Sequence, residues 1–186
     1  MRKFIVFAAM AAFMAFAATP ALASYGVEVQ DPETSEPCWD VTVDGPDVSG
    51  GCEISILAPQ FRFIHPVWGH SGLNCSASGE LNVAYDGSGY VSNINLGGCA
   101  AFPCASGGSQ VPWPVQVRAV GEDEFVADLS ICVAPGSGGT VNGTATAELS
   151  GDPFVMDADH ASVSGVTNLD ATFTSTGALG LVAIEE

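Results

Sequence analysis

The sequence predicts an all-β fold, namely an antiparallel β-sandwich or a partly open barrel of about nine or ten short strands, stapled by disulfide bonds. Apolar and polar residues alternate in many short runs, and this period of two is typical of half-buried strands. Gly, Pro and Asp separate the runs as turn formers. The chain has six cysteines, an even number, which indicates three disulfides if the protein is exported.

Residues 1–23 have the features of a bacterial signal peptide. Arg2 and Lys3 precede an apolar run over residues 4–18, and small residues before the end of the segment offer a cleavage site after Ala23. The apolar run is shorter than the roughly 20 residues that a membrane-spanning helix needs. We therefore predict a secreted or extracytoplasmic mature chain.

The predicted mature chain is strongly acidic. The full sequence has 21 acidic and 4 basic residues and a formal charge of -17, and loss of Arg2 and Lys3 takes that charge to -19. Such a surface repels phosphate backbones and anionic lipid head groups. We expect no nucleic-acid binding and no membrane insertion after signal cleavage, and any partner drawn by charge would be basic.

The first part of the mature chain is expected to contain little structure. Residues 24–37 are polar and contain prolines, so we predict an extended or disordered lead-in, followed by a single β domain over residues 38–186. Alternation predicts a first strand over residues 39–43 and a second over residues 52–56, with residues 61–64 as a short separate strand.

A central hairpin is predicted over residues 75–99. Both arms alternate, and the small residues 86–89 provide the tight turn between them. The register in which Leu81 faces Ile94 gives both arms the same apolar face. In that register the two terminal cysteines are one residue out of phase, and a bulge at Gly97-Gly98 would correct the offset.

A second hairpin is predicted to join residues 115–119 to residues 125–133. A three-residue loop, residues 122–124, aligns the apolar faces and sets Arg118 opposite Asp128 as a cross-strand charge pair. Further strands are predicted over residues 141–149, 161–163, 169–173 and 179–184.

The spacing of the cysteines favours one disulfide and leaves the others open. Cys38 and Cys52 lie close together in the sequence and form the preferred pair. The other four cysteines allow two arrangements that we consider equally good: Cys75 with Cys99 and Cys104 with Cys132, or Cys99 with Cys104 and Cys75 with Cys132.

Several motifs resemble a group of small exported bacterial cysteine-containing β proteins to which no function is attached. The resemblance covers about residues 50–133 and rests on turns and cysteines: Gly51-Cys52, Asp86-Gly87-Ser88-Gly89-Tyr90, Cys99 to Cys104, Pro112-Trp113-Pro114 and Cys132. It implies an exported β-rich protein. It transfers no catalytic residue.

Chemistry-bearing motifs are sparse. The chain has no G-x-S-x-G motif, and disulfides would consume every thiol, so we predict no catalytic residue and no cofactor. Asp157, Asp159 and His160 offer two carboxylates and an imidazole within four residues, which are ligands suited to a metal ion. His65 and His70 would complete a metal site if the fold brought them to this segment.

Tryptophans offer the second kind of candidate site. Trp39 lies on the apolar face of its predicted strand and is expected in the core. Trp68 and Trp113 lie in Pro- and Gly-rich segments, so we predict that they form an exposed platform for a protein or carbohydrate ligand.

Two classes of function remain after these exclusions. The preferred hypothesis is an exported non-enzymatic β domain with a structural, surface or ligand-binding role. The alternative is a small secreted hydrolase or metal-dependent enzyme that uses Asp157, Asp159 and histidines. A third hypothesis is an inhibitor or recognition protein whose negative surface binds a basic partner, with binding that weakens in salt.

Overall fold

The computed structural model describes residues 25–38, 52–64, 73–136, 140–163 and 167–185. These ranges form strands and turns and include no helix, so none of their segments is a helix that could span a bilayer. The strands are β1 (Tyr25–Gln30), β2 (Glu53–Ile64), β3 (Leu73–Val83), β4 (Ser88–Gly97), β5 (Ala101–Pro103), β6 (Ala105–Ser106), β7 (Ser109–Gln110), β8 (Trp113–Ala119), β9 (Phe125–Pro135), β10 (Val141–Gly151), β11 (Phe154–Val163), β12 (Thr167–Thr174) and β13 (Gly180–Glu185).

The main sheet closes on itself as an eight-stranded antiparallel barrel. Its order is β10-β11-β12-β2-β3-β4-β8-β9, and β9 pairs back onto β10 to complete the ring. The short strand β5 adds to the end of β9, and β6 with β7 forms a separate small hairpin. The predicted all-β class and its antiparallel pairing are confirmed, and the strands are longer and more numerous than expected.

Large apolar side chains fill the barrel interior. Phe61 lies among them, with its ring centroid 5.7 Å from that of Trp113 and 6.1 Å from that of Phe173. All three side chains are buried. Alternation explains this packing, since along β8 every second residue, from Trp113 to Ala119, faces inward. An eight-stranded barrel leaves an interior just wide enough for such side chains.

A ribbon of β1 and β13 docks on the barrel end that carries the β3–β4 and β10–β11 turns. The Val29 amide donates to the Tyr85 carbonyl at 2.8 Å, and the Leu179 amide donates to the Gly151 carbonyl at 3.0 Å. Val29 and Leu179 are buried where the ribbon meets the barrel. Part of the segment predicted as an extended or disordered lead-in therefore forms β1, because β13 supplies its hydrogen-bonding partner.

The predicted register of the β3–β4 hairpin is wrong. Leu81 faces Val91 rather than Ile94, and the chain turns earlier, with the Gly87 amide donating to the Ala84 carbonyl at 3.0 Å. A bulge shifts the register farther along β4, so that Val91 and Ile94 both point into the core. Past this bulge Ser76 faces Gly97, so Cys99 stays one residue out of phase with Cys75, and the two cysteines are nevertheless joined by a disulfide.

The β8–β9 hairpin keeps its predicted apolar faces but not its register. Val115 faces Leu129, two residues from the predicted alignment, and a loop over residues 120–124 replaces the three-residue loop. Arg118 nevertheless reaches Asp128 diagonally, with Nε 2.8 Å from Oδ2. The charge pair is therefore present although the two residues are not directly opposite.

Three disulfides staple the structure. The preferred pair, Cys38 with Cys52, is confirmed. Of the two arrangements left open for the other cysteines, the structure has Cys75 with Cys99 and Cys104 with Cys132. Residues 61–64 are continuous with β2 rather than separate from it. The strand predicted over residues 39–43, including Trp39, lies outside the described residues.

The substitution Gly151→Ala should weaken the docking of the β1–β13 ribbon on the barrel. A Cβ atom at Gly151 would lie 2.1 Å from the Leu179 carbonyl oxygen, so the backbone that leads into β13 has to move. We expect the free energy of unfolding in urea to fall by about 1–3 kcal/mol, the usual cost of overpacking. The matched control is Gly121→Ala, whose Cβ would meet only the Glu124 side chain at 3.4 Å. An equal loss in both variants would contradict this account of the ribbon.

Candidate functional site

Asp159, His160 and Asp170 form the candidate metal-ligand cluster in the described part of the chain. One ligand atom from each residue lies within 4.8 Å of the other two. His160 Nδ1 is 2.6 Å from Asp159 Oδ1 and 3.6 Å from Asp170 Oδ1. Two carboxylates and an imidazole are a donor set that divalent metals accept.

A β-bulge in β11 brings the cluster together. The pairing of β11 with β12 shifts between Ala158 and Ala161, and His160 takes a left-handed φ of 51° inside the shift. The His160 amide then donates to Asp170 Oδ1 at 2.9 Å on the neighbouring strand. The bulge therefore re-aims the imidazole along the outer surface toward the carboxylates.

The structure brings together two of the three predicted ligands and adds a third. Asp157 lies outside the cluster, and its Oδ1 accepts a hydrogen bond from Thr172 Oγ1 at 2.7 Å. Asp170 takes its place, because the register of β12 sets this residue beside the bulge. His65 and His70 lie outside the described residues, so their expected convergence stays a prediction.

The electrostatics of the cluster favour the cationic imidazole. The hydrogen bond that the His160 ring donates to the Asp159 carboxylate and the charge of Asp170 raise the pKa of His160, whereas the charge of Arg62 opposes them weakly. Asp170 lies opposite Arg62 in the pairing of β12 with β2. A metal ion that binds this imidazole has to displace a proton that is held more tightly than on an ordinary histidine.

The predicted tryptophan platform is not formed by Trp113. This side chain is 1% exposed, its ring stacks on Phe61, and its Nε1 donates to the Cys132 carbonyl at 3.1 Å. The prediction of an exposed Trp113 is wrong, since β8 begins at this residue and its inward alternation includes the ring. Trp68 lies outside the described residues.

The outer face of β2, β3 and β4 carries a groove that the sequence did not reveal. Two clefts, of about 570 and 530 Å³, meet at Asn93, which lines both. Asn93 has a left-handed φ of 48° and its Nδ2 donates to Glu80 Oε2. Tyr90 and Gln110 line one side of the groove, and Ser and Thr residues line much of the other.

A third cleft, of about 440 Å³, lies beside the β1–β13 ribbon. Asp31, Asp123 and Asp152 line it together with Phe125 and Leu149. The described residues contain two basic side chains, Arg62 and Arg118, and neither lines this cleft. The carboxylates that line this cleft therefore have no arginine beside them in its lining.

No protein-family model matches this chain, and no curated protein or solved structure is significantly similar to it.

The raised pKa of His160 is open to direct measurement. We expect a ring-proton NMR titration to place it above the ordinary value of about 6.5, and Asp159→Asn to lower it because the main hydrogen bond to the cation is weakened. The protonated form stabilises the fold, so this contribution is complete below the unfolded-state pKa and is lost as the pH rises through the folded-state pKa. Asp157→Asn is the control and should leave the titration unchanged, whereas equal shifts in both variants would contradict the geometry.

Proposed function

We propose that this chain is an exported, disulfide-stapled β domain that acts as a non-enzymatic ligand-binding module through its outer surface. The observation that carries the proposal is the filled barrel interior. Barrels that hold a ligand inside keep an internal cavity, whereas Phe61, Trp113 and Phe173 pack into this one. The clefts described above are instead lined by residues on the outside of the barrel.

The disulfides support the extracytoplasmic part of the proposal. Three disulfides pair all six cysteines and persist in an oxidising compartment, which agrees with the predicted signal peptide. Each closes a loop of between 14 and 28 residues and so limits the unfolded chain. A rigid scaffold of this kind holds surface groups in fixed positions, which lowers the entropy cost of binding.

Two measurements test this proposal together: whether the protein is exported, and whether its melting temperature depends on a bound metal. Expression of the full chain in a bacterium should give a processed protein that begins at Ser24, lies outside the cytoplasm and contains the three disulfides, as mass spectrometry of non-reduced peptides can show. We expect EDTA to leave its melting temperature unchanged. A chain lacking residues 1–23 is the control and should stay in the cytoplasm. Cytoplasmic retention of the full chain, or a melting temperature lowered by EDTA, would contradict the proposal.

The cluster of Asp159, His160 and Asp170 favours a second candidate function, a metal-dependent hydrolase. Three protein ligands leave coordination positions for water, which is the layout of catalytic rather than structural zinc sites. Asp159 and Asp170 would supply oxygen ligands and His160 a ring nitrogen, and the bound metal would supply an acidified water as nucleophile. The cluster is open to solvent, so a substrate can approach it.

Zinc titration separates the two functions. The second candidate predicts that the mature protein binds Zn²⁺ in calorimetry and hydrolyses an activated ester faster when loaded. His160→Ala and Asp170→Asn should each lower the affinity by about tenfold or more, since each removes a ligand. Asp157→Asn should bind as the parent does. Absence of zinc binding at millimolar concentration, or equal binding by all variants, would remove the hydrolase from consideration.

A further inference from the structure

We propose that the groove centred on Asn93 binds a neutral oligosaccharide. This inference rests on the proposed role as a binding module and names the ligand class. Two clefts of about 570 and 530 Å³ fall within the size range of small-molecule sites and have Asn93 as a common lining residue, which suits a ligand of more than one sugar ring.

The groove exists because β4 bulges at Asn93. Gly79 on β3 has no side chain, and a Cβ atom there would lie 2.7 Å from Val91 Cγ1 and 2.9 Å from the Ser92 carbonyl oxygen. The register of β3 with β4 shifts between Ser78 and Glu80, beside this glycine. The local sequence therefore builds a bulge that directs the amide of Asn93 onto the outer surface.

The second wall of the groove is held to the barrel by a hydrogen bond. Gln110 Nε2 donates to the Ile94 carbonyl at 2.8 Å and so ties the β6–β7 hairpin to the bulged part of β4. Ser109 and Pro112 line the cleft on either side of Gln110. The groove is thus bounded by two separate elements in a fixed relation, which pre-organises it for a ligand.

The polar groups of the groove match the hydroxyls of a sugar. Asn93 and Gln110 offer amide donors and acceptors, and Glu80 offers a carboxylate that accepts strong hydrogen bonds from hydroxyl groups. Tyr90 adds an aromatic ring with a polar end, suited to a ligand that has both C–H and O–H faces. Serine and threonine hydroxyls extend the same chemistry along the floor: Ser55, Ser78, Ser92, Ser109, Thr174, Ser175 and Thr176.

Charge selects a neutral rather than an anionic sugar. Glu80 is the charged residue among those that line the two clefts, and the surrounding chain is strongly acidic. Sulfated or uronic-acid glycans would be repelled both by Glu80 and by the net charge. A peptide strand would instead need a free sheet edge, whereas β3 is paired on both sides, and on β4 beyond its pairing with β8 the Ile94 carbonyl is occupied by the Gln110 side chain.

The test uses the disulfide-bonded mature protein and defined sugars. Amide NMR spectra are recorded with maltohexaose, cellohexaose and N-acetylchitohexaose up to about 10 mM, and with a sulfated heparin hexasaccharide. We expect at least one neutral hexasaccharide to shift the resonances of Tyr90, Asn93 and Gln110, and the sulfated one to shift none. Failure of all three neutral sugars, or preferential binding of the sulfated one, would overturn the inference.

Two variants with matched controls locate the binding. Asn93→Gly removes the amide but keeps a residue that tolerates the left-handed φ, so the bulge survives. Tyr90→Ala removes the ring. We expect each to weaken the sugar affinity by about tenfold, whereas Asn168→Ala and Tyr85→Ala, at exposed positions outside the groove, should leave it unchanged. If both groove variants keep the sugar affinity of the parent, the inference is overturned. The proposed role as an exported binding module is tested separately, by export, by the disulfides and by the effect of EDTA on the melting temperature.

Discussion

The pairing of β9 with β10 closes the sheet, and the rest of the structure depends on this closure. The two strands pair continuously from Phe125 with Leu149 to Val133 with Val141, without a bulge. Their inward positions include small side chains such as Ala127, Ala145 and Ala147, whereas the large rings come from β2, β8, β11 and β12. Small and large side chains of the described strands thus pack together in the interior.

Closure also decides where polar groups can act. Outward side chains on the barrel wall bond to one another across strands: Ser130 with Thr144, Thr146 with Asp128, and Thr172 with Asp157. Asp128 also accepts from Arg118, and this hydrogen bond lowers the pKa of its carboxyl. Such pairs on a half-exposed surface contribute little to stability. They do satisfy the hydrogen-bonding groups of these outward side chains. Polar groups that are to bind a ligand therefore have to come from places where the regular strand pairing is interrupted.

The alternation of apolar and polar residues predicts the strands well, because this alternation is kept when the sheet closes into a barrel. The sequence predicts the register of strand pairing poorly, because β-bulges leave almost no signal in the sequence. Val115, Val117 and Ala119 face inward as predicted, and extending the same alternation back by one step would have placed Trp113 in the core. Prolines on both sides of Trp113 obscured that signal. Asp170 was missed as a neighbour of His160 because its position depends on the pairing of β11 with β12, which is a tertiary property.

Residues with a left-handed backbone conformation lie at the candidate surfaces. Among the described residues, three that are not glycine have positive φ, namely Ser35, Asn93 and His160. Each lies at one of the candidate surfaces: Ser35 at the acidic cleft, Asn93 at the groove and His160 at the carboxylate cluster. Such a conformation costs energy for a residue with a side chain and persists where the surrounding structure enforces it. At Asn93 and His160 a bulge turns a polar group out of the regularly paired wall, so these strained positions mark the surfaces on which the proposals rest.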